Sequence, residues 1–242
     1  MSRTLRWSLG LITLLLVLFV ARLPAALPAR LLPADITLAG LQGSIWHGSA
    51  AALGVKGLVT QESLSWALDA RALLRGQLAW QIRAEHGGQP SSLRARVGLG
   101  GVAVEDLSLR LPVEPFTQFE PTVQGLRLRG DLQLNAQRLV PHQPIGLDAR
   151  LEQVSSALAG EATALGAYQL RVDIDASGAG TLNVKTLHGP LQANGSGNFT
   201  LDGKHAGIDL RLKPEVDLPG LSSALAILPR EGDAFRLALN HP

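Results

Sequence analysis

The sequence predicts an all-β fold: an extended antiparallel sheet preceded by a single N-terminal transmembrane helix and carrying one short C-terminal helix. Three observations lead there. Apolar and polar residues alternate with period two from Ile36 onward, glycine-rich turns separate the alternating runs, and an uncharged apolar stretch precedes them all. The chain divides accordingly into a tail over residues 1–6, an anchor over 7–22, a linker over 23–35 and a β-rich domain over 36–242. Apolar residues make up 46% of the 242 and aromatics only 4%, so alternating Leu, Ala and Val must do the packing.

At the N-terminus, Arg3 and Arg6 precede a run from Trp7 to Ala21 that holds no charge and ends at Arg22. Its core, Leu9 to Val20, is mostly Leu, Ile, Val and Phe, which suits hydrocarbon better than a water-facing helix surface. As a helix the uncharged run spans roughly 22 Å, against a hydrocarbon core of about 30 Å. Arg6 and Arg22 can cover the difference by extending their guanidinium groups to the two interfaces, with Trp7 at the cytoplasmic one. A cleaved signal peptide is the rival reading. The stretch from Arg22 to Arg30 offers no tidy small-x-small cleavage site, so retention as an anchor is expected, with the short tail inside and the body outside the cytoplasm. Pro24, Pro28 and Pro33 make the following segment a stiff juxtamembrane linker.

In the body, runs such as Leu64-Ser65-Trp66-Ala67-Leu68, Leu78-Ala79-Trp80-Gln81-Ile82, Leu93 to Val97, Leu107 to Leu111, Leu126 to Arg129 and Leu170-Arg171-Val172-Asp173-Ile174 each give a strand one apolar and one polar face. Gly87-Gly88-Gln89-Pro90, Gly100-Gly101, Ala176 to Gly180, Asn194-Gly195-Ser196-Gly197 and Asp202-Gly203-Lys204-His205 read as the turns between strands. Two short helices are expected, one near Ala70 to Leu74 and one from Leu221 to Leu228, entered through Pro219-Gly220 and stopped by Pro229. Phe235 to Leu239 returns to strand. An antiparallel meander is the economical topology, and an open groove, a partial barrel or a sandwich would each cover the apolar faces.

Little in the chain points to chemistry. There is no cysteine, which excludes a disulfide framework and a thiolate metal site. The formal charge is +2, with 22 Lys and Arg interspersed among 20 Asp and Glu, so no basic stripe for nucleic acid forms. His47, His86, His142, His188, His205 and His241 never fall in a pair spaced for a shared metal, and none belongs to an HExxH pattern. No Gly-x-Ser-x-Gly elbow occurs, and Gly203-Lys204 is not followed by the Ser or Thr of a phosphate loop. Glu105-Asp106 reads as a solvated pair opening a strand, and Gly98 to Gly101 as a turn. Asn194-Gly195-Ser196 and Asn198-Phe199-Thr200 match the glycosylation sequon but read as turn and strand residues. No catalytic, cofactor-binding or metal-binding residue is expected, and the chain does not read as an enzyme.

The most distinctive stretch is Gly40-Leu41-Gln42-Gly43-Ser44-Ile45-Trp46-His47-Gly48, where a tryptophan between nearby glycines suggests a large ring packed against close backbone. With Trp66 and Leu68 in the next run, and Leu73-Leu74-Arg75-Gly76 after it, the chain resembles the type II secretion system protein N family. Members of that family show a Gly-Thr-x-Trp-x-Gly strand, a Trp-x-Leu strand and a Leu-Leu-x-Gly turn. The positions carrying the likeness are Gly43, Trp46, Gly48, Trp66, Leu68, Leu73, Leu74 and Gly76, together with a closing helix and strand from Leu221 to Leu237. Ser44 stands where Thr is usual, and Ala70-Arg71 where the family often has Pro. The resemblance implies an accessory inner-membrane component of the machine that moves folded proteins from the periplasm through the outer membrane. Its implied partners are the other inner-membrane platform proteins and, farther out, the outer-membrane channel, with membrane lipid around the anchor. The family is also similar in style to AsmA-like envelope proteins, which implies an alternative function: an envelope lipid or glycolipid carrier using an apolar β-groove. Trp46 and Trp66 are expected to be core-packing residues.

Overall fold

Alternation with period two puts every second side chain on one face of a strand, so strands of this kind pair edge to edge and keep that sidedness across a sheet. The computed structural model describes residues 19–20, 22–30, 32–55, 57–114, 127–157, 164–202, 205–216, 221 and 225–241. In order these form α1 (Ala26–Ala29), β1 (Ile36–Ala39), β2 (Gln42–Gly43), β3 (His47–Val55), β4 (Leu58–Leu68), α2 (Ala70–Leu73), β5 (Leu78–His86), β6 (Gln89–Gly98), β7 (Gly101–Pro112), β8 (Leu128–Leu139), β9 (Ile145–Ser156), β10 (Ala164–Ile174), β11 (Ala179–His188), β12 (Leu191–Thr200), β13 (Ala206–Pro214), β14 (Arg230–Glu231) and β15 (Ala234–His241). They make one 15-stranded antiparallel sheet in which spatial order follows chain order from β1 to β13, with β15 and then β14 closing the row and β2 lying beside β3. Among the described residues no pairing joins the two ends, so the sheet is open and neither a barrel nor a sandwich.

The sidedness expected from the alternation runs across eight strands. Leu109, Leu134, Ala149, Leu170, Val184, Gly195, Leu210 and Leu237 stand opposite one another from β7 to β15 and make one apolar row. One residue along, the row of Arg110, Gln133, Arg150, Gln169 and Lys185 lies on the other face. Ion pairs lace that polar face: Arg171 reaches Asp148 at 2.9 Å, and Arg236 reaches Asp209 at 2.6 Å. The Arg236 guanidinium, by its hydrogen bonds, holds the Asp209 carboxyl below the usual carboxylate range.

Asn194 to Gly197, expected as a turn, lies instead inside β12, between two ladders. Its glycines serve close approach. A methyl on Gly197 would stand 2.7 Å from the Gly207 carbonyl oxygen, and one on Gly195 would be 2.8 Å from Leu210 Cα. Neither glycine has positive φ, so the backbone there is extended and the missing side chains let β13 come close. The sheet also coils at bulges. Ser63, Asp106 and Gln153, with φ near 50°, are the extra residues where the register shifts between β4 and β5, β6 and β7, and β8 and β9.

The expected helix near Ala70 is α2. Of the expected Leu221 to Leu228 helix, Leu221 and Leu225 are described and helical and 226–228 form a turn, so the helix stops short of the expected end, while 222–224 lie outside the described residues, as do Gly203-Lys204 and Leu126. Leu221 and Leu225, each 3% exposed, cover the apolar face over Val154, Leu165, Leu191 and Tyr168. This is where the sheet buries its main core. The buried Tyr168 hydroxyl donates to the Leu191 carbonyl oxygen at 2.9 Å, and burial pushes its phenol up to about 12.

In urea titrations of the full chain in detergent, Tyr168→Phe is expected to lower unfolding free energy by about 1 kcal/mol at neutral pH. The folded phenol keeps its proton to about pH 12, while an unfolded one releases it near the ordinary 10.0. This contribution is therefore complete below pH 10 and is lost as pH rises toward 12. A variant whose stability falls over that window as steeply as the wild type would contradict the assignment.

Candidate functional site

Where β2 turns into β3, the chain builds a three-residue loop that gathers most of the sequence-singled residues. Gly43 ends β2 and pairs with Gly48 across the hairpin, and β3 begins at His47, leaving Ser44, Ile45 and Trp46 as the loop. The Ser44 hydroxyl accepts from the backbone N–H groups of Trp46 and His47, each at 3.3 Å, while the Ser44 N–H donates to the His47 carbonyl at 2.8 Å. A hydroxyl closing the turn on its own following amides is what both Ser and Thr supply, which accounts for Ser44 serving where Thr is usual.

The loop's carbonyls would be left open by so sharp a turn, and each has a donor. Trp66 Nε1–H donates to Ser44 O and Trp80 Nε1–H to Ile45 O, both at 2.9 Å, and the Leu68 amide donates to Trp46 O at 2.6 Å. Trp66 and Trp80 can do this together because Trp66 faces Ile82 while Leu68 faces Trp80, which places the two rings diagonally on one face of β4 and β5. The third indole points outward from the loop: Trp46 Nε1–H donates to the Val20 carbonyl at 2.9 Å. Phe19 and Val20 are helical, and the Val20 carbonyl, which also accepts from the Leu23 N–H at 3.2 Å, thereby gains a second donor.

The chain leaving that helix is tied to the same loop. Ile45 N–H donates to Leu23 O at 3.0 Å, Ala25 N–H donates to Gly43 O at 3.2 Å, and Pro24 bridges Ser44. The segment expected as a spacer is therefore stitched to the sheet, and Ala25 is buried. Beneath it lies an apolar cavity of about 800 Å³, walled by Leu64, Trp66, Trp80 and Ile82 and roofed by Leu23 and Leu27, with Arg30 contributing charge at its lining.

Of the glycines flanking Trp46, Gly48 does serve a large ring, but the ring is that of Trp66, which lies opposite it on the neighbouring strand. A methyl on Gly48 would collide with that indole and stand 2.5 Å from the Gln42 carbonyl oxygen. Gly43, with φ +88°, has the His47 carbonyl oxygen 2.6 Å from where a methyl would sit. Trp46 and Trp66, expected as core residues, are half-buried, because their N–H tips need the loop and the helix end more than their rings need full cover. Leu73, Leu74 and Gly76 stand apart from this cluster, at the last residue of α2 and on the turn that follows it. Asp69 caps α2 by accepting from Arg71 N–H at 3.0 Å, and Gly76, with φ +68°, returns its N–H to Leu73 O at 2.9 Å.

Trp80 is the residue that sequence reasoning did not single out. It sits two residues from Ile82, the direct cross-strand partner of Trp66, and the signal in the sequence is only that a tryptophan on an inward face needs an acceptor for its N–H. Among the described residues no group of three or more His, Cys, Asp or Glu is placed to hold a metal ion. What the arrangement does is mechanical, since it joins the end of the N-terminal helix to the first strands through short, oriented hydrogen bonds.

Gly48→Ala is expected to cost about 1–3 kcal/mol in urea unfolding and to alter the tryptophan bands of near-ultraviolet circular dichroism. Trp46→Phe keeps a ring but loses the bond to Val20, and should cost no more than about 1 kcal/mol. An unchanged tryptophan spectrum in Gly48→Ala would mean that Trp66 does not pack on this glycine.

Comparison with known proteins agrees with the motifs in this region. The family model described as type II secretion system (T2SS), protein N, matches residues 34–239. A protein of Vibrio cholerae serotype O1 named type II secretion system protein N is 29% identical over 255 residues, covering 99% of this chain and 98% of the relative. No solved structure matches the chain. With the family match extending from the linker to the last strand, the chain belongs to the type II secretion system protein N family.

Proposed function

We propose that this chain is an accessory inner-membrane component of the type II secretion system, a structural and interaction subunit that supports export of folded proteins from the periplasm across the outer membrane. The observation carrying the reading is the family match over residues 34–239, joined to a fold whose built feature is a rigid junction and not a reactive centre. In this reading residues 1–6 stay in the cytoplasm, 7–22 anchor the chain and 36–242 form the periplasmic sheet. Residues 7–18 and 21 lie outside the described residues, and among the described ones no helix is long and apolar enough to cross a membrane. Support for the anchor comes from the uncharged run between Arg6 and Arg22 and from the stitching of residues 20–25 to the sheet.

Held in this way, the sheet leaves the membrane at a set angle and offers its laced polar face to neighbours, which are the platform proteins of the same machine and, farther out, its outer-membrane channel. The role is that of a positioned surface and requires no bond-making. Neither the family match nor the named relative supports the lipid-carrier alternative.

In cells carrying the secretion system, deletion of this chain should leave exported enzymes in the periplasm, and crosslinking of the full chain in membranes should capture platform proteins. Recovery of no secretion component, together with undiminished export in the deletion strain, would refute the proposal.

A further inference from the structure

The sheet has two ends, and the apolar residues exposed at one of them have no role in the junction. The helical residues Phe19 and Val20, the 44–46 loop, the β4–β5 connection through α2 and the β6–β7 turn all lie at the same end, because Trp46 bonds Val20, His47 pairs with Ala67, Leu68 with Trp80, Leu78 with Val97 and Gly98 with Gly101. Strands stand about 5 Å apart, so the β6–β7 turn lies within roughly 20 Å of the strand that begins at His47. At these tips Leu73 is 47% exposed, Leu74 89% and Leu99 fully exposed at 107%. Arg71 and Arg75, both exposed, flank the leucine pair. The carboxylate beside them, Asp69, is turned into the start of α2, where it accepts from the Arg71 N–H.

From this placement we infer that the α2 tip and the β6–β7 tip form a second membrane contact, with Leu73, Leu74 and Leu99 entering the interface of the bilayer that holds the anchor and Arg71 and Arg75 pairing with anionic phospholipid headgroups. Leucines bare at a loop tip, next to arginines that no carboxylate among the described residues pairs with, match the division between acyl boundary and headgroup layer. Phe19 and Val20 meet the sheet at this same end, and in the anchor reading the apolar run before them in the sequence lies in the bilayer, which brings the bilayer to the tips. The inference rests on the anchor reading given above. With two separated contacts in one plane, the sheet is kept from swinging about its single helix.

The absence of cysteine from the sequence makes the test clean, since single cysteines can be introduced and labelled with an environment-sensitive fluorophore. Leu74→Cys, Leu99→Cys, Leu15→Cys and Gln89→Cys full chains are reconstituted into vesicles of phosphatidylethanolamine and phosphatidylglycerol that contain a nitroxide-bearing phospholipid quencher. Labels at 74 and 99 are expected to be quenched several-fold more than the label at 89, which lies at the opposite end of the sheet. Adding Arg71→Glu and Arg75→Glu should remove most of the quenching at 74. If the label at 15 is quenched while those at 74 and 99 behave like the one at 89, the tip contact is overturned and the anchor stands. If the label at 15 stays in water, the anchor reading itself fails, and the tip contact with it. Equal quenching at 74 in vesicles of phosphatidylcholine alone would overturn the anionic-lipid assignment.

Discussion

A sheet one layer deep has an apolar side and no second sheet to bury it against, and the fold follows from how that demand is met. Burial stabilises a domain at about 25 cal/mol per Å², so long rows of Leu, Val and Ala cannot simply be left open along their length. The chain meets the demand in two places. Near the beginning, Leu23, Ala25, Leu27 and Leu32 lie over the tryptophan wall, and near the end Leu221 and Leu225 cover Tyr168 and Leu191. Bulges at Ser63, Asp106 and Gln153 coil the sheet between them, so that apolar side chains from non-neighbouring strands share cover.

The tryptophan junction settles a second problem, that of orientation. A helix followed by a proline-containing segment would normally leave a domain free to turn. Here the carbonyl of Val20 takes the Trp46 indole beside the Leu23 amide, and the carbonyls of the 44–46 loop take indole and amide donors from β4 and β5. A hydrogen bond contributes only about 1 kcal/mol net, but several that differ in direction define a frame. Gly43 and Gly48 belong to that frame as surely as the rings do, since a side chain at Gly48 would push the hairpin off Trp66 and one at Gly43 would force the two hairpin strands apart.

The two-sidedness of the sheet could be read directly from runs such as Leu170-Arg171-Val172-Asp173, because alternation is local and the strand period is strict. The Asn194 to Gly197 quartet misled, because glycine answers two different needs, a positive φ in a turn and close backbone approach within a strand, and its letter is the same in both. Whether the sheet closes depends on coil and bulge positions, which Ser63, Asp106 and Gln153 do not advertise. Around the candidate site the glycines announced a crowded ring, yet the ring belongs to Trp66 across the ladder, a pairing that only register reveals. Trp80 escaped notice for the same reason.

Because each long strand through β13 lies beside the one made immediately before it, few contacts require distant parts of the chain to meet first. Closing short loops costs little entropy, so assembly can proceed in the order of synthesis, with each finished strand serving as the template for its successor. Such growth always carries one unpaired margin, ready to accept whatever extended chain comes next. The two-residue β14, folded back on β15 through Arg230 and Glu231, is too short to template another strand along its own margin, and with it the zipper runs out.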